Sequence, residues 1–260
     1  MPFQAMYSIA ICKGAALLDE TEKLLQQWRP TEPASVFAKR VQKEGILGNA
    51  TAYRTNDIVR RVFIPRFLKP NDRPARIMKA VLEARMMASV FRELVLLFAA
   101  RNDPLIRDFV VREFWPAVRR GRLKLDVNSV LSFFDESIMD GRIKKPWSEQ
   151  VSKKVARGLL GLIRDIGFAR NASRGTKELI EYRLSDEGLI IIARILHEQG
   201  VTDASMVEHQ DWHLFGLDRQ ALLGRMRLID EQQGLLLQHA GSIVSINWTM
   251  KSLDQYLDAM

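Results

Sequence analysis

Lys153, Lys154, Arg157 and Arg164 stand in the stretch SEQVSKKVARGLLGLIRDIGFA (148–169) at spacings that place all four on one side of a helix. At about 100° per residue, Val151, Val155, Leu159, Leu162, Ile163 and Ile166 share one arc of roughly 120°. The four cations occupy the opposite arc, with only Gly161 among them and no acid. Side chains of this kind neutralise phosphates and break no bonds. Most surface helices mix signs on the wet face to gain i,i+4 pairs, whereas here Lys153 and Arg157 repel one another. Two readings stand: an ordinary solvated face, or a face turned toward a polyanion. Lys144 and Lys145 before the stretch and Arg170, Arg174 and Lys177 after it favour the second, because they flank it as a loop and a wing would. A second basic stretch, YRTNDIVRRVFIPRFLKPNDRPAR (53–76), sets seven bases against two acids. Arg54, Arg60 and Arg61 lie opposite Ile58 and Val62 on its helical wheel, as another phosphate track or as the outside of a bundle.

Other chemistry finds little support. His209 and His213 have a spacing that binds metals on a helix, but Trp212 and Phe215 beside them point to packing, and no metal site is expected. There is no Gly-rich phosphate loop before a Lys-Ser/Thr, no Rossmann fingerprint and no nucleophile elbow. Asp135, Glu136 and Asp140 are spread by helical spacing. Cys12, the single cysteine, reads as a small buried hydrophobe; it allows no internal disulfide and suits a reducing, cytoplasmic setting. Trp28, Trp115, Trp147, Trp212 and Trp248 sit in apolar patterns as core or interface anchors. The expectation is a non-catalytic protein without a cofactor.

The elements that must position these cations are mostly helical. The first half reads as successive amphipathic helices: 14–28 stopped by Pro30 and Pro33; 33–47; 55–67 ended or kinked at Pro65; a long helix-forming run over 76–100; and 103–118 with Asp103 as cap and Pro104 behind it. The basic loop RRGRLKLD (119–126) is the expected boundary. A helix face follows in Val127, Val130, Leu131, Phe134 and Ile138, then a break at DGRIKKPW (140–147), then the basic helix capped by Ser148. Next come a turn at NASRGT, a strand in KELIEYRLS, and a helix (186–199) ending at Gly200. Helix, basic tip and strand form the ending of a winged helix-turn-helix module, although the usual short middle helix is not visible in 140–147. A helix over 218–233, a hairpin turned at Ala240-Gly241-Ser242 and a short helix capped by Ser252 complete the chain.

The 260 residues are 47% hydrophobic and carry a net charge of +8, unevenly distributed. Arg142–Arg183 holds eleven Lys/Arg against four Asp/Glu; from Leu196 onward there are four against nine. Such polarity favours an anionic partner on one side. The apolar runs near the N-terminus and in LVLLFAA (94–100) are shorter than the roughly 18–20 residues a bilayer span needs, so no membrane partner is expected. Nor does MPFQAMYSIAICKG have the basic start of a secretory signal.

The order of KGAALLDETEKLLQQW, VQKEGILGNATAYRTNDIVRRVFIPRFL, DPLIRDFVVREFWPAVRRGR, KPWSEQVSKKVARGLLGLIRDIGF and VEHQDWHLFGLD resembles the BrxA family, a component of the bacteriophage exclusion (BREX) defence systems of bacteria. The resemblance implies a cytoplasmic, mainly helical protein that binds duplex DNA beside other BREX components. It also implies a helical front half likened to the RNA-binding antitermination factor NusB, which leaves RNA binding, or a scaffold role, as alternatives. The expected division is an N-terminal helical bundle (1–125), a winged-helix-like basic middle (126–200) and a C-terminal helix–hairpin–helix extension (201–260).

Overall fold

The structure, a computed structural model, describes residues 6–48, 50–229, 234–241 and 243–260. It is mainly helical, with small antiparallel strands. The chain packs as two compact units. One runs to Lys79 and resumes from Val95 to Tyr182; the other takes Ala80–Leu94 and Arg183 to the C-terminus. This grouping follows long-range contacts, and its borders fall elsewhere than at 125 and 200.

In the first unit a 3-10 turn (Ala10–Lys13) precedes α1 (Leu18–Gln27), so the helix starts later than the apolar pattern from residue 14 suggests; Leu17 sits in the left-handed region at φ 52°. Helix α2 (Ala34–Glu44) begins behind Pro33. Helix α3 (Ala52–Asn56), capped by the Thr51 side chain, continues without a break into π-helical turns over Asp57–Leu68. Pro65 neither ends nor interrupts this run. A wider turn moves away the preceding carbonyl that a proline ring would meet in an α-helix. The run expected over 76–100 is two helices, α4 (Arg73–Glu83) and α5 (Ala88–Asn102), of which Ala80–Glu83 and Ala88–Leu94 count with the second unit. Arg85 adopts φ 52° between them, and the Arg85 and Met86 amides close α4 by donating to Leu82 and Val81 carbonyls. Asp103 then caps α6 (Pro104–Asp108) as expected, accepting the Leu105 N–H at 3.0 Å; π-helical turns (Phe109–Phe114) lead into α7 (Trp115–Arg119).

The stretch expected to be a boundary supplies a strand instead. β1 (Lys124–Asp126) leads directly into α8 (Val127–Met139), whose N-terminus Asp126 caps by accepting the Ser129 N–H at 2.8 Å. Residues 140–147 form no helix, matching the sequence reading. Ser148 caps α9 (Glu149–Ile166), which Gly167 ends in the left-handed region at φ 94°. The strands β2 (Ala169–Ser173) and β3 (Thr176–Leu179) follow as a hairpin, and β1 adds to β3, giving the antiparallel order β1-β3-β2 with Leu125 opposite Lys177. The strand expected throughout KELIEYRLS stops at Leu179, where the pairing with β1 runs out. Under α9, Val155, Leu159, Leu160, Leu162, Ile163 and Ile166 are buried. Each stabilises by about 1.5–3 kcal/mol, so a few tenths of like-charge repulsion on the wet face is easily tolerated.

The second unit centres on α10 (Asp186–Glu198), buried from Gly188 to Leu196 and capped by Ser185, whose N–H and hydroxyl both donate to Glu93 at 2.8 and 2.6 Å. Then come α11 (Asp203–Met206), a 3-10 turn (Gln210–Phe215), α12 (Arg219–Met226), the hairpin β4 (Leu235–Ala240) and β5 (Ile243–Trp248), and α13 (Leu253–Asp258). The helix expected over 218–233 ends at Met226. Its last four positions, and Ser242 of the expected hairpin turn, lie outside the described residues.

Candidate nucleic-acid interface

Helix α9 buries its aliphatic stripe and turns Lys154, Arg157 and Arg164 outward, with Lys153 half-buried beside them. Two open grooves run along this ridge. One, of about 720 Å³, is bounded by Lys153, Arg157 and Leu160 of α9, Arg174, Gly175 and Lys177 of the hairpin, and Val127 and Asn128 at the start of α8. The other, of about 550 Å³, lies between Lys154, Arg157, Gly158, Arg164 and Asp165 on one side and Ile11, Cys12 and residues 14–20, Asp19 and Glu20 among them, with Arg54 on the other. Arg157 borders both.

The ridge is less purely cationic than its wheel suggests. Glu149 reaches forward one turn to pair with Lys153, and Asp165 pairs with Arg164 at 2.5 Å. Glu178 binds Arg170 through two contacts of 2.7 and 3.0 Å across the hairpin, and its carboxyl is held below the usual range by that guanidinium. Lys177 donates to Asn171 Oδ1 at 2.6 Å, and burial, with Arg164 nearby, pushes its ammonium below the ordinary lysine value. Among the described residues, Lys154, Arg157 and Arg174 have no carboxylate partner, and neither do Lys144 and Lys145 in the exposed loop before α9. That loop is anchored by buried Ile143 and by Trp147, edge-on to Phe134 at 5.3 Å.

The second basic stretch is divided. Arg54 lines the groove beside α9, but its guanidinium donates to the Lys13 carbonyl at 2.5 Å and so also braces the neighbouring segment. Buried Arg66 braces it further, donating to the carbonyls of Ala15 and Gly14 at 2.7 and 3.1 Å. Arg61 pairs with Asp57 at 3.2 Å. Arg60 is exposed, and neither it nor Arg61 lines either groove. Lys144, Lys145 and Arg170 also lie outside them.

The remaining candidates resolve into packing. His209 caps a 3-10 turn, its Nδ1 accepting the Asp211 N–H at 3.3 Å, and Trp212 is buried with its indole donating to Met206. Among the described residues no group of three or more His, Cys, Asp or Glu side chains could hold a metal. Cys12 is half-buried rather than fully enclosed, and burial raises its thiol pKa. Asp140 pairs with Arg112 at 2.6 Å. Sequence reasoning missed Asn128, Ile11, Cys12 and residues 14–20 as groove walls, since only tertiary packing brings them there. It missed Glu149 too, although an i,i+4 spacing to Lys153 announced it.

The BrxA family model matches residues 5–200. The chain belongs to the BrxA family. This family is the one associated with BREX defence, and its match takes in the whole of the cationic helix and hairpin. No curated protein matches this BrxA chain significantly. Its fold is similar to the crystal structure of an uncharacterized protein from Magnetospirillum magneticum. The two are 15% identical with a TM-score of 0.60 over 80% of this chain and 97% of the other, a likeness of fold alone. Charge separates with the units: the first, containing α9, has 31 Lys/Arg against 18 Asp/Glu, or +13, and the second has 8 against 13, or −5. Among the described residues no helix is long and apolar enough to cross a membrane.

Proposed function

We propose that this BrxA-family chain is a cytoplasmic, non-catalytic component of BREX defence that holds duplex DNA through its first unit. The observation that carries the reading is the exposed ridge of α9, with Arg157 shared by two grooves and cations of the β2–β3 hairpin along one of them. The order β1-α8-α9-β2-β3 supports a winged-helix reading in which α9 is the groove-facing helix and Arg174 stands at the wing. A B-form major groove, about 12 Å wide, admits an α-helix, while the deep and narrow major groove of A-form RNA does not. Contacts of this type grip phosphates more than base edges, so sequence preference is weak. The acidic second unit gains nothing from DNA; with Leu228 and Ile243 exposed, it is the part we assign to other BREX components.

With about five phosphates neutralised, log K against log salt is expected to fall with a slope near −4.5 for duplex DNA. Anisotropy titrations against duplex DNA, single strands and structured RNA test this. A preference for structured RNA at every salt concentration would transfer the assignment to RNA, and no binding at physiological salt would leave a protein scaffold.

Glu178→Gln gives a gain-of-binding check. It frees Arg170 and removes a negative charge from the wing, at small structural cost because both groups of the pair are solvent-exposed. Duplex affinity should rise by roughly threefold at 0.15 M salt, and equal or weaker binding would exclude the wing from the contact.

A further inference from the structure

Resting on the duplex-binding reading, we infer that Gly161 is where the backbone of α9 makes its closest approach to the bound duplex. Glycine in a helix interior is the least stable choice after proline, so one on a cationic, ligand-facing surface invites a reason. Helix α9 holds two glycines. Gly158 has a reason inside the molecule: a Cβ there would meet the Ile11 side chain at 3.4 Å and the Ile11 carbonyl at 3.7 Å, where the 3-10 turn packs on the helix. Gly161 has none, because a Cβ there would meet no atom within 4 Å.

Its place on the helix supplies what the packing does not. Gly161 follows Arg157 by four residues and precedes Arg164 by three, so it lies between them on the outward face. The missing side chain makes a notch in the row of guanidiniums. A sugar–phosphate strand seated in that notch reaches van der Waals contact with the helix backbone while the arginines hold phosphates on either side. A methyl group would keep the strand away without removing any charge.

This separates a steric contact from an electrostatic one. Gly161→Ala should raise the melting temperature by about 2–3 °C, since it improves helix propensity without a clash. It should weaken duplex binding by about tenfold, and Gly161→Leu should weaken it more. The slope of log K against log salt should stay as in the parent, because no phosphate contact is lost. Gly224 in α12 is a matched control: a Cβ there also meets nothing within 4 Å, but it lies in the acidic unit. Gly224→Ala should gain similar stability and bind as the parent does.

The experiment is anisotropy with a random-sequence duplex at several salt concentrations, beside thermal melts, on the full chain. Weaker binding by G161A with an unchanged salt slope, and parental binding by G224A, support the inference. Parental binding by G161A overturns it and leaves the duplex-binding reading standing. If the parent itself fails to bind the duplex, both fall together, and the parent titration alone shows it.

Discussion

Replacing Lys154, Arg157 and Arg174 together with alanine is expected to lower duplex affinity roughly 100-fold at 0.15 M salt and to flatten the salt slope by about 2.7. These groove-lining cations have no carboxylate partner among the described residues and, unlike Lys177 and Arg54, are not engaged by Asn171 or the Lys13 carbonyl. They belong to two grooves and two elements, with Arg157 common to both. Each gives its full charge to a phosphate without first breaking an internal pair. Lys153 and Arg164 lie on the same helix but are held by Glu149 and Asp165, so their double alanine variant should lose far less, roughly threefold to tenfold. Lys154, Arg157 and Arg174 are solvent-exposed, so circular dichroism and melting temperature should stay at the parental values. A triple variant with parental affinity and slope would show that the phosphates are met elsewhere on the molecule.

The α9 face was legible in the sequence because both of its sides are set by local spacing. The aliphatic stripe fixes what is buried, and whatever lies opposite is wet. The caps at Asp103, Ser148 and Ser252 were legible for the same reason, each needing only a short side chain and the next few amides. What sequence periodicity could not show is what arrives from afar. Strand β1 looked like a loop because three residues of alternating pattern carry little signal; its identity comes from β3, some fifty residues later. Glu93 and Ser185, 92 positions apart, join in one unit through two hydrogen bonds that no window of sequence contains. The break at Arg85 was hidden for another reason: an arginine in the left-handed region is the outcome of closing α4, and arginine itself favours continuing a helix. For the interface the consequence is specific. The helix was found from its own residues, but which of its cations are free depended on neighbours, one a turn away and others across a hairpin.

Arg194→Ala is expected to destabilise the second unit by about 3–5 kcal/mol, the sum of buried carbonyls left without their donor and the cavity left by the side chain. Arg194 lies in an apolar helix, in the run GLIIIARIL, and is 3% exposed. Its guanidinium donates to the Gly234 carbonyl at 2.9 Å and to those of Met250 and Ser252 at 3.0 and 3.3 Å, so it ties both ends of the β4–β5 hairpin to α10. It also lies over the rings of Trp248 and Tyr256, 4.8 and 5.1 Å from their centroids. Burial lowers its pKa, yet arginine keeps its proton through the physiological range, so the charge stays and the carbonyls and rings offset its desolvation. Alanine removes these contacts and leaves a cavity beside three carbonyls. Arg194→Lys keeps the charge but cannot span the carbonyls with a planar fork, and should lose about half as much. Hydrogen exchange reads the difference directly: the β4–β5 amides should lose protection in the alanine variant before those of α9 do. Parental protection in the hairpin would mean that its strands and apolar contacts hold it in place without the arginine.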